Sequence, residues 1–183
     1  LVSLILFSIP ILGKDDWTKN KKAITASIKK HQKALISISD QIWSNAELAL
    51  EEHKSSKILS DYAEKNGFNI ERGVAGMPTA FIATYGSGRP RIGILGEFDA
   101  NAGISQKAQS TKEALIEGAP GHGCRHNLFG TGSLGAAIAI KELIQKKELK
   151  GTIVFYGTPA EETIFGKVWF RSEEHTSELQ SRA

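Results

Sequence analysis

The hydrophobic period of this chain changes partway along, and that change constrains its fold more than any other feature. From Trp17 to Trp43, Ile24, Ile28, Leu35, Ile38 and Ile42 recur at three- and four-residue steps, the spacing of an amphipathic helix. A second helix is expected over Ser55 to Lys65, closed by Asn66-Gly67; the stretch between, Ala46 to Glu52, reads equally as turn or helix. The period then drops to two: Phe68 to Glu71 and Thr79 to Tyr85 alternate, and Gly86-Ser87-Gly88-Arg89-Pro90 is a turn signal. Arg91 to Gly96 reads as a short apolar strand, Gly130 to Lys147 as a helix of small and aliphatic residues, and Gly151 to Gly157 as a buried strand. Helices, then strands, then helix–strand alternation predict an α/β fold, a three-layer sandwich around a mostly parallel sheet.

At 183 residues and 40% hydrophobic content, the chain has the length and core material of one domain. Its net charge of +3 comes from scattered lysines, and no basic run is interleaved with aromatics, which argues against a nucleic-acid partner. Residues 1–13 open on an apolar run, Leu1 to Leu12, too short to cross a bilayer as a helix. It is expected to be the remnant of a signal peptide, with an exported mature protein that has no membrane segment; a cytoplasmic location is the alternative. At the other end, Arg171-Ser172-Glu173-Glu174-His175-Thr176-Ser177-Glu178-Leu179-Gln180-Ser181 looks like the in-frame translation of a common sequencing adapter. Residues 171–183 are therefore expected to be non-native, and His175 and Glu173-Glu174 are given no role.

In open α/β sheets, sites form beyond the carboxyl ends of strands, and three polar stretches fall there. The first is Glu97-Phe98-Asp99. The second, Gly118 to Asn127, is a glycine-punctuated loop carrying the only cysteine; Cys124 and His126 stand two apart and in extended backbone share one side, half of a zinc site. An inert thiol beside a surface histidine, or a Cys124 nucleophile paired with His126 or His122, is the other reading. The third is Thr158-Pro159-Ala160-Glu161-Glu162, whose paired carboxylates suit one metal ligand and one general base, or else simply open a helix after Pro159. Gly130, Gly132 and Gly135 spell the dinucleotide fingerprint G-x-G-x-x-G, although the preceding residues are not strand-like.

Taken together, GILGEFDA, GAPGHGCRHN and FYGTPAEE, with IWSNAELALEEHKSS upstream, resemble the motifs of the zinc amidohydrolases related to aminoacylase, carboxypeptidase G and plant auxin–amino acid hydrolases. Within these the aminobenzoyl-glutamate utilization branch is the nearest. The resemblance covers Trp17 to Phe170 and identifies residues 14–170 as the N-terminal part of a metallohydrolase catalytic domain. It implies two divalent metal ions, zinc or manganese, with Cys124, His126 and Glu162 as ligands. Glu161 is implied as general base, Asp99 as an orienting acid, and His122 as a supporting histidine. Substrates would be N-acyl or N-aroyl amino acids or small dipeptides, and the full-length protein a homodimer through a lid domain. This chain departs from the family at Arg125, where glycine is usual, at Asn101-Ala102, and at Thr163-Ile164-Phe165. Later histidine ligands are absent too, so the 183-residue chain itself is expected to be inactive. A non-catalytic relative that keeps the fold is the last alternative.

Overall fold

Within residues 151–158, Thr152 to Tyr156 combine β-branched and aromatic side chains in an unbroken run, as a strand covered on both faces does. In the computed structural model, which describes residues 14–171, this run lies in strand β4 (Gly151–Thr158), seven of whose eight residues are buried. It lies between β2 (Phe81–Ser87) and β3 (Arg91–Glu97), with β1 (Asn69–Arg72) outside β2. Residues 1–13 and nearly all of the adapter-like tail lie outside the described residues.

The α/β class matches expectation, but parallel pairing is limited to β3 and β4 among the described strands. Glu97 there pairs with Thr158, whereas β1–β2 and β2–β4 are antiparallel. Connection length explains the difference. β1 and β2 are joined by a short link containing the 3-10 turn Val74–Gly76, which permits only an antiparallel return. β3 reaches β4 through a long loop and helix α3 (His126–Gln145), the crossover a parallel pair requires.

Helices α1 (Lys14–Asn45) and α2 (His53–Lys65) join α3 over one face of the sheet. Ile38, Ile42, Leu59, Ala63, Leu134 and Ile138 close there on Phe81, Ala83, Ile153 and Phe155. Strand alternation sends Ile82 and Tyr156 to the opposite face, where Met77, Ala80 and Phe170 cover them. None of the described helices is long and apolar enough to cross a membrane.

Two details of the helices bear on the site. The stretch between α1 and α2 is a turn whose Glu47 carboxylate accepts the N–H groups of Lys54 (3.0 Å) and Ser55 (2.8 Å), supplying the first turn of α2 with acceptors. Helix α3 starts at His126, earlier than the glycines suggested. A Cβ at Gly130 would stand 2.4 Å from the Glu97 carbonyl oxygen, so glycine is what lets the helix lie against the end of β3. Gly130, Gly132 and Gly135 thus lie inside a packed helix, separated from β3 by the loop 98–125, and not at the strand-to-helix turn that a dinucleotide fingerprint needs.

Away from the sheet edge, one polar cluster ties the three helices together. Glu142 on α3 accepts from Lys30 Nζ (2.7 Å) and from His31 Nε2 (3.2 Å), while His31 Nδ1 meets the Tyr62 hydroxyl at 2.7 Å. Burial alone would raise the Glu142 pKa, but the hydrogen bonds from Lys30 and His31 outweigh it and pull the pKa down to about 2. A carboxylate depressed from its ordinary 4.5 adds stability above that pH and gives it up as the pH falls toward 2. Glu142→Gln is expected to lower stability near pH 7 by about 1–2 kcal/mol and to flatten the loss between pH 4.5 and 2, measured by denaturant unfolding across pH. Arg125, which precedes α3 with φ 64° and an exposed side chain, sits in the left-handed region. Arg125→Gly should therefore raise stability by about 1 kcal/mol in thermal unfolding.

Candidate metal centre

The site is assembled where β3 and β4 end. Phe98 is driven fully into the core, and the acids on either side of it, Glu97 and Asp99, both reach His126, the first residue of α3. His126 Nδ1 lies 2.9 Å from Asp99 Oδ1 and 3.1 Å from the Asp99 backbone oxygen. A carbonyl oxygen only accepts, so Nδ1 carries the hydrogen, and in the neutral ring Nε2 presents a lone pair. Three carboxylate oxygens surround that nitrogen: Glu97 Oε2 at 3.2 Å, Glu162 Oε1 at 3.7 Å and Glu161 Oε2 at 3.9 Å. Burial lowers the imidazole pKa, but the hydrogen bond and charge of Asp99, with Glu97 and Glu162, outweigh it and hold the pKa above its ordinary value.

The paired glutamates open the short helix α4 (Glu161–Ile164), and their place is set from below. Ala160, at φ 57°, donates its N–H to Glu52 Oε1 (2.8 Å), and Glu52 Oε2 accepts the Thr79 hydroxyl (2.7 Å). Glu52 has no exposed surface, and burial raises its pKa against those hydrogen bonds. Asp99 Oδ2 takes the N–H of Glu162 at 2.8 Å. Lys167, just past α4, contacts Glu97 at 2.5 Å and Glu161 at 3.4 Å; the hydrogen bond to Glu97, and then the nearby charges, raise its pKa.

The cysteine loop approaches from the other side. Asn101 and Gly121 exchange backbone hydrogen bonds (2.9 and 3.0 Å), and Asn101 Oδ1 accepts the Cys124 N–H at 3.3 Å. The backbone between Cys124 and His126 is not extended as expected, because left-handed Arg125 turns it into α3. The exposed Cys124 instead lies near Glu162, whose carboxylate raises the thiol pKa. His122 docks the loop, with Nε2 3.0 Å from the Ile42 carbonyl oxygen, and burial lowers its pKa.

The five residues singled out from sequence, Asp99, Cys124, His126, Glu161 and Glu162, therefore gather at one edge of the sheet. Sequence reasoning assigned no role to Glu97, Glu52 or Lys167. For Glu97 a signal existed, since it stands two residues from Asp99 at the end of a strand. Glu97, His126 and Glu161 each offer a ligand atom within 4.8 Å of the others. Glu162 Oε1 is buried and has no hydrogen-bond partner among the described residues, although it lies beside His126 Nε2. An orphaned carboxylate oxygen next to an imidazole lone pair, inside a group of four acids, fits a divalent cation.

No protein-family model matches the chain. Individual proteins do. A p-aminobenzoyl-glutamate hydrolase component from Escherichia coli (strain K12) is 41% identical over 151 residues, covering 82% of this chain and 31% of that protein. An IAA-amino acid hydrolase of Arabidopsis thaliana is 32% identical over 129 residues, covering 70% of this chain and 28% of its own length. Among solved structures, the YXEP protein of Bacillus subtilis, a dinuclear metal binding peptidase from the M20 family, superposes with a TM-score of 0.61 at 26% identity. That match covers 73% of this chain and 36% of the other. The chain thus spans about a third of the length of the curated relatives it matches. Fold, site chemistry and sequence identity agree, and the chain belongs to the M20 family of peptidases and amidohydrolases.

Proposed function

We propose that this chain supplies part of the centre of a metal-dependent amidohydrolase acting on N-acyl or N-aroyl amino acids or small dipeptides, aminobenzoyl-glutamate among them. The observation that supports it most is the unpartnered Glu162 Oε1 beside His126 Nε2, with the other nitrogen of that ring already committed to Asp99. His126, Glu162 and Cys124 would hold the cation, with Glu97 as a further carboxylate ligand. A mixed imidazole, carboxylate and thiol set suits zinc, with manganese as second choice, and two ions are proposed by analogy with the Bacillus relative. A cation held there would supply an activated water and polarise an acyl carbonyl.

The chain's own residues divide the remaining work. Asp99 keeps the hydrogen on His126 Nδ1, so that Nε2 stays free to ligate. Glu161 is the more exposed of the paired acids and already has Lys167 as a partner, which favours it over Glu162 as the proton carrier. Its Oε2 takes a proton from the attacking water and returns it to the leaving amine. The N–H of Glu162, bound to Asp99 Oδ2, holds the two acids at fixed depth. A cavity of about 440 Å³ beside the cysteine loop, lined by Trp43, Ile104, Leu115 and Ile116 along with polar residues such as Asn45 and Gln106, has the size for an aromatic acyl group.

Calorimetric titration of the chain with Zn²⁺ tests the ligand set. Wild type should bind, and His126→Ala should weaken binding by about 100-fold or more; equal affinities would sink the assignment. Turnover is proposed for a polypeptide that contains this chain within a length like that of its relatives, and the 183-residue chain alone should show none. In the longer polypeptide, Glu161→Gln is expected to cut kcat for aminobenzoyl-glutamate by about 10²–10⁴ with metal content unchanged. An unaltered kcat would remove Glu161 from the chemistry.

A further inference from the structure

Two glutamates at the sheet edge divide their oxygens in the same way. Glu97 gives Oε1 to Lys167 Nζ at 2.5 Å and directs Oε2 to His126 Nε2 at 3.2 Å. Glu161 gives Oε1 to Lys167 at 3.4 Å and directs Oε2 to the same nitrogen at 3.9 Å. The acids belong to different elements, the end of β3 and the start of α4, and Lys167 spans them. Its own place is fixed close to Glu161, because the chain after α4 folds back through a hydrogen bond from the Gly166 N–H to the Ala160 oxygen at 3.3 Å.

We propose that Lys167 is a positioning residue for the metal centre: by holding Oε1 of both Glu97 and Glu161, it turns their Oε2 atoms toward His126. The inference rests on the metal reading of the site. Two effects of Lys167 on a bound cation oppose each other. Its charge repels a divalent ion. Its hydrogen bonds, however, hold two flexible side chains in one orientation and offset the mutual repulsion of carboxylates that would otherwise swing apart toward solvent. The charge is spent on the outer oxygens, on the side away from His126, so orientation is the larger effect.

That balance makes the test decisive, because a simple charge effect and a positioning effect have opposite signs. Co²⁺ is titrated into the metal-free chain, followed by calorimetry and by its visible d–d absorption. Lys167→Met is expected to weaken Co²⁺ binding about tenfold and to change the absorption band, even though a positive charge has been removed. Lys167→Arg, which keeps N–H donors toward both acids, should stay within about threefold of wild type. In a Glu97→Gln background the effect of Lys167→Met should be smaller than in wild type, since one of the two acids it acts through is already altered. Far-UV circular dichroism checks that each variant folds, and Lys167→Gln replaces Lys167→Met if the methionine variant does not. A Lys167→Met or Lys167→Gln chain that binds Co²⁺ as tightly as wild type, or more tightly, overturns the role of Lys167 alone. A wild-type chain that takes up no Co²⁺ overturns the metal reading, and this inference with it.

Discussion

The arrangement at the sheet edge depends on one carboxylate, that of Asp99. It is almost wholly buried, which is costly for a charge unless its oxygens are partnered. Both are: Oδ1 holds His126 Nδ1 and Oδ2 holds the N–H of Glu162. The backbone oxygen of the same residue also receives Nδ1. A single residue just past β3 thereby fixes the first residue of α3 and the first turn of α4 relative to each other. A buried charge that satisfies two elements is stabilising only while both stay in place, so it selects one geometry out of many compact ones.

The same economy appears in the backbone. Immediately before α3 and before α4 stands a non-glycine residue in the left-handed region, Arg125 at φ 64° and Ala160 at φ 57°. Such residues cost free energy and persist only where surrounding contacts over-determine them. At Ala160 the contact is the buried Glu52 carboxylate; at Arg125 it is the pairing of Asn101 with Gly121 and Cys124. Each abrupt turn brings a helix start, with its metal-type side chains, to face the strand ends.

Much of this was readable in the sequence, for physical reasons. The change of hydrophobic period marks the helices and strands because core burial enforces it, and β4 announces itself by composition. Asp99, Cys124, His126 and the Glu161-Glu162 pair lie in short motifs whose residue types suit a metal. What stayed hidden depends on contacts between distant positions. Glu52 reads as one more acid in an ambiguous turn, and only its bond to Ala160, 108 residues away, shows its use. Lys167 lies beyond the motifs that carry the resemblance, and its partner Glu97 is 70 residues distant. Strand direction was hidden too, since alternation reveals which face a residue takes but not which neighbour its strand will pair with.

The bond between Glu52 and Ala160 also sets an order of events. A polypeptide made from its amino end exposes Glu52 long before residue 160 has left the ribosome. During that interval the carboxylate has water for its partner and keeps its full charge. Only when β4 is seated can it give up that hydration for the Thr79 hydroxyl and the Ala160 amide. Assembly of the candidate site at the strand ends therefore waits on the seating of β4.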